Sequence, residues 1–320
     1  MEVLIVGAGA LGQVYGADLA RGGAAVSYLV KPGQAERVRG GMTVERLRRW
    51  RPDAATTVEP ARVYTEPAAV ADTAWDSVWL LVDSTALRPD WLDTLRAAIG
   101  TTTVVTLDQS LGDLITLTRL WPSDQVVAVT VAELAWTTPL GTARPGPTAY
   151  YRPPGAAVIL TGTPARVAPI RAALSRGGAP ARIRRNGGGI ARAARTVPYL
   201  AALEVADWSI ATLRSDLSPA SHAAFEAATI VAAERGLPAP PSRRTMEWTA
   251  WMAWGMFPAL APFDAPEYLR AHFTKVGAQT RAMLREWAEL GEHRGLPAGH
   301  LRDLVAAMPP LPARADDPRQ

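Results

Sequence analysis

Val3-Leu4-Ile5-Val6-Gly7-Ala8-Gly9-Ala10-Leu11-Gly12 stands near the head of the chain, and its reading decides the fold. Four consecutive apolar residues predict a buried strand. Glycines at 7, 9 and 12 follow it, and Val14, Tyr15 and Leu19 then recur at helical spacing. A glycine-rich turn alone is common. Between a strand and a helix, at the start of an alternating pattern, it acquires a mechanism. Gly7 permits the tight turn, Gly9 lets the backbone approach a pyrophosphate, and Gly12 lets the helix pack close to the strand. The helix N-terminus then turns its N–H groups and the positive end of its dipole to the phosphates.

Outward from this loop, apolar runs predict strands over 3–6, 25–30, 77–82, 103–107 and 126–131. Helical stretches fall between them around 11–20, 35–39, 90–99 and 111–120. That alternation predicts an α/β domain whose mostly parallel sheet is covered on both faces. Trp79-Leu80-Leu81-Val82 reads as a strand buried on both sides. From 133 to 161, extended segments with Gly and Pro turns predict antiparallel additions to the sheet edge. A helix over 165–174 and a strand over 181–184 complete a first domain of residues 1–186. Gly187-Gly188-Gly189 marks the boundary. Beyond it only helical periodicity recurs, over 190–213, 219–235, a Trp-rich stretch, 266–290 and 299–308. This predicts an all-helical substrate and dimerisation domain over 187–312, with 313–320 a frayed tail.

At 320 residues the chain is long enough for two domains, each with its own core. It has no cysteine, so neither disulfides nor thiolate metal sites hold it, and its four histidines show no metal-ligand spacing. The net charge is +4, with arginine supplying nearly all the positive charge. Arg46, Arg48, Arg49 and Arg51 cluster, as do Arg182, Arg184 and Arg185. No nucleic-acid motif surrounds them, so solvated faces or contacts to anionic small molecules are expected. Trp248, Trp251 and Trp254 lie in an apolar stretch whose only charge is Glu247. Gly255, Pro258 and Pro262 interrupt it short of the about 20 apolar residues a membrane span needs. A buried or dimer-facing helix is expected instead, and with it a possible homodimer. The first residues carry no basic segment followed by an apolar stretch and a cleavage site, so a cytoplasmic protein is expected.

The second strand ends Tyr28-Leu29-Val30-Lys31, with no acid before Glu36. An acid there accepts from the ribose 2′-hydroxyl of NAD, whereas a basic residue accommodates the 2′-phosphate of NADP. Lys31 therefore predicts NADP(H), with NAD(H) the alternative; the plain reading is a solvated lysine closing a strand. Asp83 and Ser84, just past a central strand, lie where open α/β sheets bind ligands. They join Gly7, Gly9, Ala10, Leu11, Gly12 and Lys31 as the expected cofactor set.

Strand, Gly7-Ala8-Gly9-Ala10-Leu11-Gly12, Lys31 and then a helical domain together resemble the ketopantoate reductase family, from residue 1 to about 308. Asp108-Gln109-Ser110-Leu111-Gly112 stands where that family has a QNGxG-like turn. The stretch from Glu226 to Gly236 looks like its helix ending in glycine. His272-Phe273-Thr274-Lys275-Val276-Gly277-Ala278-Gln279-Thr280 looks like a segment of a divergent branch. The resemblance implies a Rossmann-type domain followed by an all-α domain resembling that of 6-phosphogluconate dehydrogenase. It also implies that Gln109, at the turn's asparagine position, meets cofactor and substrate, and that Gln279 takes the place of a family glutamate. The family's proton-donating lysine falls on Ala193, and its two asparagines fall on Val197 and Ala201. Cofactor binding thus carries over, while ketopantoate is not the expected substrate.

Hydride transfer to a carbonyl or imine needs a donor beside the heteroatom. Arg192, Arg195, Thr196 and Tyr199 recur at three- and four-residue spacing on one expected helix face, with Asp207 two turns beyond. Arg195 would clamp a carboxylate and Tyr199 donate a proton. The plain readings are a surface ion pair and a packed ring. His272, Lys275 and Gln279 fall on successive turns of one expected helix, His272 and Gln279 toward substrate. Lys275 is the candidate ammonium, since a partly buried lysine lowers its pKa readily; the plain reading is a solvated lysine beside a core-capping histidine. The expected activity is NADPH-dependent reduction of a small carbonyl or imine compound, with no nucleic acid or membrane partner. The alternative is a dinucleotide-binding relative without hydride chemistry, either a non-redox catalyst or an NADP sensor.

Overall fold

Strand β1 (Glu2–Val6), buried over its last four residues, leads through the glycine turn into helix α1 (Ala10–Arg21). The computed structural model describes residues 1–50, 54–87, 89–108, 110–140, 146–185 and 188–311. After α1 come β2 (Ala25–Leu29), α2 (Pro32–Arg39), β3 (Met42–Arg46), β4 (Ala54–Val58), β5 (Val63–Tyr64) and β6 (Ser77–Leu80). Then follow α3 (Pro89–Ile99), β7 (Thr103–Leu107), α4 (Leu111–Leu120), β8 (Val126–Thr130), β9 (Leu134–Thr137) and β10 (Thr148–Tyr151). Strand β11 (Val158–Thr161), α5 (Pro164–Arg176) and β12 (Ala181–Ile183) complete the first of two compact units, Met1–Ile190.

Eight strands form the main sheet in the order β12-β11-β8-β7-β6-β1-β2-β5. Every pairing from β8 across to β5 is parallel. The chain winds one way from β1 to β2 and β5, then returns to β6 and winds the other way. The strand order therefore reverses between β1 and β6, where such sheets bind ligands at their carboxyl ends. Alternation along the strands supplies two cores. Val3, Ile5, Trp79 and Val105 pack with Val14, Leu19, Ile170 and Leu174 on one face. Leu4, Val6, Val78 and Val104 pack with Leu92, Leu95 and Leu117 on the other.

The segment from 133 to 161 corrects its expectation. Only β11 adds antiparallel to the main sheet, against β8, and β12 then runs parallel to β11. Strands β9 and β10 instead join β3 and β4 in a second sheet of order β4-β3-β10-β9. Met42, Val44, Val58, Ala135 and Tyr150 of this sheet share a core with α1. Helix α1 is thereby covered on both sides, and every residue from Gly12 to Leu19 is buried.

The second unit begins at Ala191, and its described residues form helices joined by turns and loops, with no strand among them. Its elements are α6 (Gly189–Val205, rooted at the end of the first unit), α7 (Ile210–Ser215), α8 (Ser218–Arg235), α9 (Arg243–Leu260), α10 (Ala265–Lys275), α11 (Gly277–His293) and α12 (Gly299–Ala307). Two expected helices are each broken. The 190–213 stretch breaks because Asp207 and Trp208 turn left-handed (φ 49° and 61°), and Ser209 then caps α7 by accepting from the Thr212 N–H. The 266–290 stretch breaks at Val276, whose N–H closes α10 on the His272 carbonyl. A Cβ on Gly277 would meet the Arg281 guanidinium at 3.0 Å. That guanidinium is buried and paired with Glu204 at 2.8 Å. The Trp-rich helix is not buried within the chain: of α9 only Met246 and Ala250 are, while Trp248 is 64% exposed. Among the described residues no helix is long and apolar enough to cross a membrane.

Candidate functional site

The turn after β1 is built by three glycines doing different work. Gly7 takes φ +96°, and a Cβ there would stand 2.8 Å from the Leu81 carbonyl of the neighbouring strand end. A Cβ on Gly12 would stand 2.2 Å from the Gly7 carbonyl, so α1 approaches the turn only because residue 12 lacks one. Around Gly9 the situation is opposite: its Cβ would meet nothing within 4 Å among the described residues. Open space therefore lies beside the N-cap of α1. No side chain caps that end and no acid occupies its first turn. The N–H groups of Ala10, Leu11 and Gly12 have no acceptor within their own helix. Unclaimed donors, a positive dipole end and adjoining open space together fit a diphosphate.

The other expected cofactor residues lie at the same carboxyl edge of the parallel strands. Lys31 is exposed at the N-cap of α2, whose first turn holds no acid. Glu36, the nearest acid downstream, pairs with Arg39. Asp83 caps the short turn Ser84–Ala86, accepting from the Ala86 N–H at 3.1 Å. The Ser84 hydroxyl donates to Asp113 at 2.6 Å, so its proton is engaged inside the protein. Burial and then the nearby Asp83 charge raise the Asp113 carboxyl above its ordinary pKa. Gln109 lies outside the described residues. Its neighbour Asp108 is buried and accepts from the Gly189 N–H at 2.8 Å, while Ser110 caps α4.

In the second unit the expected groupings change. Arg192, Arg195 and Thr196 are exposed on α6, but Tyr199 turns inward at 4% exposure. Its hydroxyl donates to Ser221 of α8 at 3.0 Å, and burial raises its pKa. Asp207 shares no helix face with them, because it lies beyond the end of α6. His272 and Lys275 occupy the last turn of α10, whereas Gln279 belongs to α11. The three therefore do not follow one another along a single helix. Lys275 is exposed. His272 stacks on Tyr268 with ring centroids 5.3 Å apart. Burial, then the Lys275 charge, pulls its pKa down to about 4, so the imidazole is neutral near pH 7. Among the described residues no cluster has the makings of a metal site.

Residues 3–143 match the family model described as ketopantoate reductase PanE/ApbA. Similarity of fold extends over nearly the whole chain. A PanE/ApbA family ketopantoate reductase from Ralstonia eutropha JMP134 superposes with a TM-score of 0.73 at 20% identity, covering 96% of this chain and 97% of its own. A 2-dehydropantoate 2-reductase from Geobacter metallireducens GS-15 gives 0.70 at 17% identity, over 96% and 99%. D-mandelate dehydrogenase, solved with NADH and anilino(oxo)acetate, gives 0.69 at 15% identity, over 96% and 97%. At these identities the likeness is one of fold. No curated protein matches by sequence.

Within the PanE/ApbA-like region, sequence reasoning overlooked the polar residues that hold α1 in place. Gln13, 6% exposed, donates through Nε2 to the Ala8 carbonyl at 2.9 Å and accepts from the Thr148 hydroxyl at 2.8 Å. Asp18 is fully buried and meets Arg152 at 2.6 Å, and Arg152 also meets Glu133 at 2.6 Å. Glu133 in turn accepts from the Tyr15 hydroxyl at 2.9 Å. Thr148 and Arg152 come from β10 and the residue after it, beyond the matched segment. The available signal was a glutamine and an aspartate inside an otherwise apolar or small-residue helix. Nothing in sequence points to partners more than 130 positions away.

Proposed function

We propose that the protein is an NADPH-dependent oxidoreductase that reduces a carbonyl or imine group of a small molecule other than ketopantoate. The observation that carries this reading is the α1 N-terminus, with its uncapped N–H groups beside the open space at Gly9. The family match over 3–143 supports it, as do the dehydrogenase names of the structural neighbours. When bound, the nicotinamide would supply the hydride. The chain's own residues would grip the diphosphate, select the nucleotide, orient the substrate and provide a proton.

Of the 34 lysines and arginines, only Lys31 and Lys275 are lysines. A chain that otherwise uses arginine has kept an ammonium at the two positions where this reading needs one. Lys31, with no acid in the first turn of α2, favours a 2′-phosphate over a bare ribose. Lys275, exposed on the last turn of α10, is the proposed proton donor, because an ammonium is a far stronger acid than a guanidinium. Arg195 is proposed to clamp a substrate carboxylate, with His272 and Gln279 as further polar contacts. The Tyr199 proton is committed to Ser221, which leaves Tyr199 the weaker of the two proposed donors.

A second reading has one observation in its favour. The resemblance, counted without gaps, puts the family lysine at Ala193, and a chain that keeps the nucleotide loop without a working donor would bind NADP(H) without consuming it. Turnover of NADPH and NADH with a panel of 2-oxo acids, ketones and imines separates the two. We expect NADPH consumption with at least one panel member. Lys275→Ala should lower kcat by about 100-fold or more, the scale of a lost general acid. Lys31→Asp should abolish the preference for NADPH. Stabilisation by NADPH without any turnover would establish the binding-only reading instead.

A further inference from the structure

Gln13 follows the glycine motif and touches no open space. Its side chain is buried, and both ends of its amide are engaged. The Ala8 carbonyl can only accept, so Nε2 must face it, and Oε1 is left to accept the Thr148 proton. The Gln13 backbone N–H meanwhile reaches the Gly9 carbonyl at 3.0 Å. Thr148 is fully buried on β10. The contact therefore runs from the second sheet, through one amide, to the peptide that links Ala8 to Gly9.

That peptide is planar and trans, so its carbonyl and its N–H point in opposite directions. Holding the Ala8 carbonyl toward Gln13 aims the Gly9 N–H away from the α1 interior. We propose that Gln13, anchored by Thr148, is a positioning residue for dinucleotide binding: it fixes the Ala8–Gly9 peptide so that the turn presents its N–H groups to the diphosphate without reorganising. The inference rests on the dinucleotide reading above. Preorganised donors bind an anion more tightly than donors that must first be ordered. Loss of the Gln13 contact would therefore weaken binding even where the folded protein persists.

The test is calorimetric titration of NADPH into the full chain, with the melting temperature of each ligand-free variant measured alongside. Gln13→Met keeps the length of the side chain and removes both hydrogen bonds; Kd should rise about tenfold, the scale of one such bond. Thr148→Val, near-isosteric, should raise Kd about threefold. The double variant should be no weaker than Gln13→Met alone, because the two residues act in series. Gln13→Glu supplies the readout that mere packing would not move. A protonated carboxyl donates to the Ala8 carbonyl and accepts from Thr148 just as glutamine does, whereas a carboxylate only accepts. The Kd of Gln13→Glu should thus approach that of the wild type at low pH and rise as the carboxyl ionises, with no such change in the wild type. Wild-type Kd in Gln13→Met and Thr148→Val, or a pH profile of Gln13→Glu parallel to the wild type, would overturn the role. Failure of the wild-type protein itself to bind NADPH would overturn the dinucleotide reading and this inference together.

Discussion

The turn at the head of α1 and the last turn of α10 hold the two halves of the proposed chemistry, and they are built on different principles. At α1 the proposed working atoms are backbone N–H groups, and three glycines at fixed spacing mark them in the sequence. At α10 the proposed working atoms are side chains, His272 and Lys275, and their neighbours depend on where a helix stops. Backbone function survives in sequence as spacing. Side-chain function survives only as residue type until the breaks between helices are known.

The largest expected effect tests whether the α1 turn is really a matter of backbone alone. Arg152→Met leaves Glu133 buried without its cation and takes one of two arginines from buried Asp18, whose other partner is Arg21. Breaking a buried pair in this way costs about 3–5 kcal/mol, chiefly from the stranded charge. Thermal and urea unfolding should show that loss near pH 7. It should shrink at acid pH, because a stranded buried carboxylate has a raised pKa and its penalty grows as pH rises through it. A variant as stable as the wild type would mean that α1 does not depend on the second sheet, and the contrast with α10 would stand in its simplest form.

Gly12→Ala comes next. A Cβ 2.2 Å from the Gly7 carbonyl must push α1 away from the turn, and overpacking of this kind costs about 1–3 kcal/mol. NADPH affinity should fall with it, since the N–H groups of the first turn move with the helix. Gly9→Ala is the internal comparison: its Cβ meets no atom of the described residues within 4 Å, so stability should hold while binding weakens. Equal stability losses in the two variants would show that the open space at Gly9 does not persist in solution.

The same contrast explains what could be read in advance. Strands β1, β2, β6, β7 and β8 announce themselves as apolar runs because the main sheet buries both of their faces. Strands β3 and β4 are as long as β1 and β2 but alternate buried and partly open residues, so no apolar run marks them, and the pairing of β3 with β10 is distant in sequence. The breaks at 207–208 and at 276 left no such trace. Apolar periodicity runs through both, and the left-handed residues of the first are an aspartate and a tryptophan in place of a glycine. Gly277, at the second, was the one local signal. Tyr199 has the spacing of Arg195 and Arg192 but the environment of the helix interior, a distinction only packing against Ser221 could make.

His272 gives the smallest effect and the sharpest test of how well the α10 region is understood. Its pKa lies near 4 in the folded protein against an ordinary 6.5, so between these values the unfolded chain binds the proton and the folded chain does not. Stability therefore falls as pH drops through this window, by about 1 kcal/mol per pH unit, and the slope vanishes below it. His272→Leu keeps an apolar group against Tyr268 and Phe273 and should flatten that slope, leaving stability near pH 7 within about 1 kcal/mol of the wild type. If the slope persists unchanged in His272→Leu, His272 is not its source. The imidazole of α10 would then be more open to water than its packing implies, and its use as a neutral contact for substrate would lose its physical basis.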